Sequence, residues 1–217
     1  MRVVVTAGPT REPIDPVRFI SNRSSGKMGY AIAQAALERG DDVTLISGPV
    51  AIAPPSGARV VRITTADELY TAVHAHVHAC DVLVMCAAVS DYKPTSVATQ
   101  KMEKQRGEFA LQLSPTRDIL ASLPREHRSY FVVGFAAETH DIEASARRKL
   151  LAKNCDMIVA NDVSRSDSGM ESDDNAVTIF VRDGEQKTIS RAPKIEIARE
   201  LMKLIAQYHQ ISLTKKT

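Results

Sequence analysis

The chain has 217 residues, 44% hydrophobic and 25% charged, which is ordinary for one globular domain able to bury a core. Its formal net charge is +2, and its basic and acidic residues are interspersed, which argues against a nucleic-acid-binding surface. No segment approaches about 18 uninterrupted apolar residues, which argues against a membrane-spanning helix. The start of the sequence has no signal-peptide layout, which argues against export. Three cysteines without a C-x-x-C pair predict reduced thiols in the cytoplasm.

The first part of the chain predicts strands and helices in alternation. Arg2–Thr6 is apolar and β-branched without period-two alternation, as in a strand buried on both faces. A polar loop, Gly8–Gly26, follows, and loops this long within a domain are usually functional. The next segments are predicted to be a helix at Lys27–Arg39 stopped by Gly40, a strand at Asp42–Ser47, a helix from the N-cap Thr65 to Ala79, and a strand at Cys80–Val89.

The second part resumes the alternation but adds two antiparallel pieces. Gly107–Pro115 alternates like a half-exposed strand, and Asn175–Ser190 predicts a hairpin turning at Asp183-Gly184. The sequence therefore predicts one domain over residues 1–217: an α/β, doubly wound, Rossmann-like parallel sheet with helices on both faces and a small antiparallel excursion. The remaining elements are a strand at Tyr130–Thr139, a helix at Asp141–Asn154, a strand at Cys155–Asp162 and a closing helix at Pro193–Gln210.

The pair Gly26-Lys27 at the start of a predicted helix suggests a phosphate-binding loop. The pattern G-x-x-x-x-G-K-[ST] fails, because Met28 follows the lysine and Ser21 stands five residues before the glycine. The N–H groups and dipole at the start of a helix still favour an anion. From this segment alone, an anion site and a serine N-cap followed by a packing glycine are equally favoured. The candidate phosphate-binding residues are Ser24, Ser25, Gly26 and Lys27.

A nicotinamide-dependent oxidoreductase is the main alternative on a Rossmann-like fold. The dinucleotide pattern G-x-G-x-x-G is missing after the first strand, and the second strand ends in Ser47-Gly48 without the acid that holds a ribose. Arg18 and Asn22, by contrast, are predicted to lie on the loop at the carboxyl edge of the sheet, where such folds bind ligands. These two residues shift the balance towards an anion site.

Four motifs follow one another along the chain: TAGPTREPIDPVRFISNRSSGKMG from Thr6, CAAVSDYKP at Cys86–Pro94, GFAAET at Gly134–Thr139 and AND at Ala160–Asp162. Together, and in this order, they resemble a known family, bacterial phosphopantothenate–cysteine ligase, in many bacteria the C-terminal half of a bifunctional coenzyme A biosynthesis protein. The resemblance covers nearly the whole chain. It implies that CTP activates the carboxylate of 4'-phosphopantothenate as an acyl-cytidylate, releasing pyrophosphate, and that cysteine then displaces CMP to form an amide.

The resemblance also implies the cofactor and partners. Mg²⁺ is expected as the cofactor, because three phosphates and a carboxylate must be brought together. The expected partners are CTP, 4'-phosphopantothenate, cysteine and a second copy of the chain, with no nucleic acid or membrane. The hairpin at Asn175–Ser190 is expected to help build this cytoplasmic homodimer, with a mobile segment of each copy near the other's site. Whether the chain stands alone or belongs to a bifunctional protein stays open.

The positions that match the family's catalytic residues are Asn22, Arg18, Ala88 and Lys101. The resemblance assigns the first three to amide formation; a neutral amide such as Asn22 can donate to a carbonyl oxygen without acting as a base. It assigns Lys101 to the triphosphate, on a mobile segment that suits a flexible point charge. Lys101 and Lys104 fall on the first and last lysines of the family's K-x-K-K cluster, but Glu103 stands at its third position in place of a lysine, which weakens the charge of this segment.

The resemblance further implies a CTP site. An acceptor such as Asp91 suits the cytosine edge or ribose, an aromatic such as Phe135 can pack on the nucleotide, and Lys149 and Lys153 share one helix face. Arg117 stands where the family usually has proline, and Met85 is larger than expected. The implied CTP-binding residues are Met85, Cys86, Ala87, Asp91, Lys101, Arg117, Asp118, Ile119, Leu120, Phe135, Lys149 and Lys153.

Two other interpretations of the sequence are a non-catalytic nucleotide-binding module and a metal site formed by histidines. A non-catalytic nucleotide-binding module would not need both Asn22 and Lys101. The histidines at positions 74, 76 and 78 imitate a metal site, but residues two apart on a helix point about 200° apart. We therefore predict surface histidines there and leave the metal ligands unassigned.

Overall fold

A computed structural model describes residues 1–104, 107–126, 128–138, 141–162 and 172–214. An eight-stranded sheet forms the centre, with two separate two-stranded antiparallel sheets beside it. The strands are β1 (Arg2–Ala7), β2 (Arg11–Pro13), β3 (Phe19–Ser21), β4 (Asp42–Ser47), β5 (Arg59–Arg62), β6 (Val82–Met85), β7 (Tyr92–Pro94), β8 (Leu113–Pro115), β9 (Phe131–Glu138), β10 (Met157–Asp162), β11 (Asp174–Val181) and β12 (Gln186–Pro193). The helices are α1 (Lys27–Glu38), α2 (Ala66–Val77), α3 (Ile119–Ser122), α4 (Ile142–Ala152) and α5 (Lys194–Thr214).

The central sheet has the order β12-β11-β10-β9-β6-β1-β4-β5. The six strands from β10 to β5 pair in parallel, and β11 and β12 extend the sheet antiparallel at one edge. From β1 the chain builds outwards through β4 and β5, then returns across the sheet to β6 and builds the other way. The order therefore reverses between β1 and β6, which is where open α/β sheets place their ligand crevice.

Helices cover both faces of the sheet, because the apolar residues of each strand alternate between two cores. Val3 and Val5 of β1 face the core formed with α1 and α5, whereas Val4 faces the core formed with α2 and α4. Helix α2 begins with a capping box in which Thr65 and Glu68 bond each other's backbone N–H. The predicted doubly wound α/β fold with helices on both faces is confirmed.

The strand and helix predictions hold with adjusted ends. The N-cap at Thr65, the stop at Gly40 and the hairpin turn at Gly184 are confirmed. The hairpin of β11 and β12 is part of the main sheet rather than a separate excursion. Thr139, predicted as the end of a strand, lies outside the described residues.

Other segments differ from the sequence-based expectation. The loop Gly8–Gly26 contains the hairpin of β2 and β3. Strand β5 was not predicted: it has only four residues, and its two central valines are half-buried. Only the last three residues of Gly107–Pro115 form a strand, β8, which pairs with β7. The strand predicted at Cys80–Val89 is confined to β6, because the chain leaves the sheet after Met85.

Among the described residues, no helix combines the length and the apolar character that a membrane crossing requires. Cys80 and Cys155 are buried and Cys86 is half-buried, all with free thiols, as expected for small core residues.

The contact between α1 and β1 depends on Gly29. A Cβ added there would lie 2.6 Å from the Cβ of Ala7 and 3.1 Å from the carbonyl oxygen of Thr6. Alanine is normally better than glycine in a helix by about 1 kcal/mol. We expect the reverse here: Gly29→Ala should lower the free energy of unfolding by roughly 1–3 kcal/mol, because backbone atoms cannot move aside.

Gly134→Ala is the matched comparison. Its added Cβ would meet the ends of two side chains, Cδ1 of Ile158 at 2.7 Å and Sγ of Cys155 at 3.1 Å, which can shift. Urea denaturation of both variants should show the larger loss for Gly29→Ala. Equal losses would mean that the contact of α1 with β1 is not the constraint described.

Candidate functional site

A cavity of about 550 Å³ opens at the carboxyl end of the sheet, at the point where the strand order reverses. The start of α1 forms one side, the end of β6 with the residues after it and the last part of β9 form the floor, and α3 and α4 form the other side. The residues that line it are Asn22, Ser24, Gly26–Gly29, Met85–Val89, Asp91, Thr116–Leu120, Phe135–Ala137, Lys149, Lys153, Asn161, Asn175 and Lys194.

The floor of the cavity is fixed by hydrogen bonds between the two segments of the chain at the ends of β1 and β6. The hydroxyl of Thr6 accepts from the backbone N–H groups of Cys86 and Ala87, at 3.1 Å each. Farther on, Ala88 donates to the carbonyl of Gly8 at 2.9 Å and accepts from the N–H of Thr10 at 3.1 Å. These bonds hold the two loops together where they leave the sheet, so the floor has a defined shape.

Asn22 is bonded to this same floor. Its side-chain amide donates to the carbonyl oxygens of Ala88 at 3.2 Å and of Val89 at 3.0 Å. Both donor hydrogens of the amide are therefore used within the protein. Asn22 and Ala88, which the sequence assigned to one chemical step, form one hydrogen-bonded unit.

Arg18 does not line the cavity. Its Nε donates to Asp15 at 2.9 Å, and its Nη2 donates to the carbonyl of Met102 at 2.5 Å. The Asp15 carboxylate, fully enclosed, also accepts from the N–H groups of Val17 and Met102. Burial alone would raise the pKa of Asp15, but these hydrogen bonds outweigh it and lower the pKa to about 2. The pair of Asp15 and Arg18 thus anchors the segment that carries Lys101.

Lys101 itself is exposed and lies outside the lining of the cavity, as do its neighbours Glu103 and Lys104. Of the predicted phosphate-binding residues, Ser24, Gly26 and Lys27 line the cavity and Ser25 does not. The N-cap of α1 is Gly26 in the left-handed conformation, φ 78°, rather than a serine. Ser24 accepts from the Gly26 N–H at 3.3 Å.

Gly26 also has a structural role. A Cβ there would lie 2.7 Å from Cγ1 of Val50 and 3.4 Å from Cα of Gly8. The glycine is thus required both by its φ angle and by the close approach of the chain that leaves β1. Gly26 therefore packs closely against the loop after β1 and also stands at the helix terminus that lines the cavity.

The strand ends and the loop before α3 supply the rest of the predicted nucleotide site. Met85 is buried, its sulfur accepting from the Thr6 hydroxyl at 3.8 Å, whereas Phe135 is half-buried and Asp91 exposed. Burial raises the pKa of the Cys86 thiol to about 12, so this group stays neutral. Met85, Cys86, Ala87, Asp91 and Phe135 all line the cavity.

On the side of the cavity formed by α3 and α4, the charged side chains of Asp118 and Arg117 are held by other residues. Asp118 accepts from the N–H of Ala121 at 3.0 Å at the start of α3, and its carboxylate contacts Nζ of Lys153. The guanidinium of Arg117 lies 4.8 Å from the centre of the Tyr70 ring and 3.6 Å from a carboxylate oxygen of Asp67. Arg117 is thus held against α2. The other predicted residues here, Ile119, Leu120 and Lys149, also line the cavity.

The sequence analysis missed four polar residues of the lining: Thr116, whose hydroxyl donates to the Ser90 carbonyl at 2.6 Å, and Asn161, Asn175 and Lys194. Asn161 lies in the AND motif, quoted without a role, and its Oδ1 is buried with no hydrogen-bond partner among the described residues. Asn175 and Lys194 enter the site only because β11 and β12 fold back along the sheet. No spacing rule in the sequence signals that return.

The histidines of α2 are not a metal site. Nε2 of His74 lies 2.9 Å from the Ser122 hydroxyl, and Nδ1 of His76 lies 2.8 Å from the Ala72 carbonyl oxygen. Within the described ranges, no three His, Cys, Asp or Glu side chains are grouped so that they could hold a metal ion. Mg²⁺ in nucleotide sites needs only one or two carboxylates besides phosphates and water, so a cavity lined by Asp91 fits that ion.

Comparison with known proteins finds one matching family and relatives that cover most of this chain. The family described as DNA/pantothenate metabolism flavoprotein C-terminal domain matches residues 1–208. The coenzyme A biosynthesis bifunctional protein CoaBC of Bacillus subtilis (strain 168) is 46% identical over 216 residues, 99% of this chain and 52% of that protein. CoaBC of Escherichia coli (strain K12) is 48% identical over 191 residues, 86% of this chain and 47% of that protein.

A solved structure agrees. The crystal structure of the C-terminal domain of CoaBC has a TM-score of 0.81 at 40% identity and covers 98% of this chain and 96% of that one. The chain spans about half the length of the curated relatives it matches. The resemblance inferred from the sequence motifs is confirmed.

Proposed function

The chain belongs to the family of the DNA/pantothenate metabolism flavoprotein C-terminal domain, and on this premise we propose that it is a phosphopantothenate–cysteine ligase that uses CTP. The observation that carries the proposal is the cavity itself. One edge of the sheet gathers residues from all four sequence motifs, among them Asn22, Ala88, Asp91, Phe135 and Asn161.

The oxidoreductase alternative gains no support. The relatives described above are named for coenzyme A biosynthesis. At the end of β4, where a dinucleotide enzyme would carry an acid, the hydroxyl of Ser47 lies 2.9 Å from that of Tyr30. A Cβ at Gly48 would lie 2.0 Å from the carbonyl oxygen of Pro9, so the chain leaving β1 crosses directly over this position.

In the first step, the carboxylate of 4'-phosphopantothenate attacks the α-phosphorus of CTP. A bond forms between the carboxylate oxygen and that phosphorus, and the bond to the β-phosphate oxygen breaks, so pyrophosphate leaves. Lys27, Lys149 and Lys153 line the cavity and offset the phosphate charge. Asp91 would hold Mg²⁺ at the cavity, and the ion would neutralise further charge of the triphosphate.

The second step joins the acyl group to cysteine. The amine attacks the acyl carbon, the bond from that carbon to the phosphate oxygen breaks, CMP leaves, and the amine nitrogen loses a proton. In this proposal Asn22 acts by fixing the carbonyls of Ala88 and Val89, so that the turn after β6 presents its backbone to the tetrahedral intermediate. This differs from direct donation by the amide, because its two hydrogens are already used.

Arg18 and Lys101 act from outside the cavity lining. We assign Arg18 a positioning role, since its guanidinium and the Asp15 carboxylate bind the carbonyl and the N–H of Met102, next to Lys101. Lys101 would reach the triphosphate when this segment closes, either on its own cavity or on that of a second copy.

A homodimer is part of the proposal, and the exposed apolar residues suggest its surface. They concentrate on the two hairpins of β2–β3 and β7–β8 and the segments beside them, not on β12, whose exposed residues are mainly polar. We therefore place the dimer contact on the hairpins rather than on the predicted hairpin at Asn175–Ser190. The exposed apolar residues there are Val17, Phe19, Tyr92, Val97, Phe109 and Leu113.

The function predicts a defined order of product release. CTP, 4'-phosphopantothenate and Mg²⁺ together should release pyrophosphate, and the amide product should appear only after cysteine is added. Pyrophosphate detection with mass spectrometry of the acyl product measures both. Turnover supported by another nucleotide but not by CTP would reject the nucleotide assignment.

Variants at two residues should separate the two steps. Asn22→Asp cannot donate to the carbonyls of Ala88 and Val89, so acyl-cytidylate should accumulate and amide formation should slow on the order of a hundredfold. Lys101→Gln should instead slow pyrophosphate release. Ser21→Ala, which removes a nearby bond to the Thr10 carbonyl, is the control for local disruption. Loss of CTP binding by Asn22→Asp, with normal partitioning of the intermediate, would contradict the role given to Asn22.

The dimer surface can be tested with single charges. Val17→Asp and Leu113→Asp should shift the molecular mass measured by light scattering from dimer towards monomer, because a carboxylate cannot be buried unpaired in an apolar contact. Leu213→Asp places the same charge on another exposed leucine, in α5, and should leave the mass unchanged. A monomeric parent protein at working concentration would defeat the proposal.

A further inference from the structure

Lys194 is an unusual residue for its position. It is the first residue of α5, only 6% of it is exposed, and it lines the cavity. Cations are disfavoured at the start of a helix, where the dipole is positive, and burial of an ammonium group is also unfavourable. Burial lowers the pKa of Lys194, and the charge of Lys27 lowers it further. A role limited to packing does not explain this choice of residue.

The groups around Lys194 show how its charge is balanced. Its Nζ donates to the carbonyl of Ser172, and its backbone N–H donates to the carbonyl of Asp173 at 3.0 Å. The carboxylate of Asp173 in turn lies 2.6 Å from Nζ of Lys27, an ion pair that lowers the pKa of Asp173. Among the described residues, Asp173, Asp174, which is itself paired with Arg191, and the neutral thiol of Cys86 also act on Lys194.

The Asp173 side chain is 87% exposed, so the fold does not require its burial. It places an acceptor-only, negatively charged group next to one of the two lysines, which is the chemistry of a phosphate oxygen. Its salt bridge with Lys27 is of the exposed kind that contributes little to stability. A multiply charged phosphate would compete for the same lysine, because it carries more negative charge than one carboxylate.

We propose that Lys27 and Lys194 form one subsite for a substrate phosphate, and that the Asp173 carboxylate beside Lys27 is an internal anion that competes with this phosphate. The inference rests on the proposed function for the identity of the phosphate, which belongs either to CTP or to 4'-phosphopantothenate. Phosphate binding displaces the Asp173 carboxylate from Lys27, and the two lysines then share the incoming charge.

Isothermal titration calorimetry of three ligands tests the subsite: inorganic pyrophosphate, CTP and 4'-phosphopantothenate. Lys194→Met should weaken at least one of them about tenfold or more, as expected for loss of a hydrogen bond to a charged group. Lys194→Arg should restore much of that binding, because it keeps the charge. Lys187→Met, on exposed β12, is the control.

Asp173→Asn gives the sharper result. Removal of the competing charge should tighten the same ligand roughly two- to fivefold, the range expected for an exposed ion pair. Asp42→Asn, an exposed carboxylate at the opposite edge of the sheet, should change nothing. If Lys194 only tethers Ser172, its substitution would lower thermal stability without weakening any of the three ligands, and Asp173→Asn would not tighten one; that result overturns the inference.

The same titrations distinguish the source of the phosphate. Effects on CTP and pyrophosphate, with pyrophosphate competing against CTP, assign the subsite to the nucleotide, whereas effects on 4'-phosphopantothenate alone assign it to that substrate. Pyrophosphate carries no base or ribose. Its weakened binding in Lys194→Met would therefore support the subsite even if CTP failed to support turnover, and the two claims can fail separately.

Discussion

The site depends on one constraint: the two segments of the chain that follow β1 and β6 lead away from the sheet, yet together they must form the floor of one cavity. The first contact between the two segments is made by the hydroxyl of Thr6, which accepts hydrogen bonds from the N–H groups of Cys86 and Ala87. The backbone bonds between Gly8, Thr10 and Ala88 continue the contact beyond the sheet. Because the strand order reverses between β1 and β6, a crevice opens beyond the ends of these two strands, and this floor lies at its bottom. Asn22 and the start of α1 are then placed above it by the same loop.

Charge is the second organising feature of the site. Cationic side chains face the cavity, and carboxylates are paired with two of them: Asp173 with Lys27, and Asp118 with Lys153. Like charges kept together without such partners would destabilise the fold. Ligand binding in this account is therefore an exchange of partners, from internal carboxylates to substrate phosphates, and not the filling of a permanently unbalanced site.

The sequence predicted the elements whose signals are local. The buried strand β1, the capped helix α2 and the turn at Gly184 follow from residue type and spacing, and the four motifs placed most of the cavity lining. It could not predict β5, whose valines are half-buried, or the inward turn that brings Lys194 to the cavity, because both depend on long-range pairing. Nor could it show that the guanidinium of Arg18 is bound to Asp15, since an isolated arginine has no preferred partner.

The most direct test of the central claim is a crystal structure with CTP and Mg²⁺. The account predicts the nucleotide in the cavity between the start of α1 and Lys153, with the base beside the backbone of residues 85–87 and the phosphates against lysine side chains. A nucleotide bound at another edge of the sheet, or one that leaves Asn22, Lys149 and Lys153 without contact in either copy of a dimer, would contradict it.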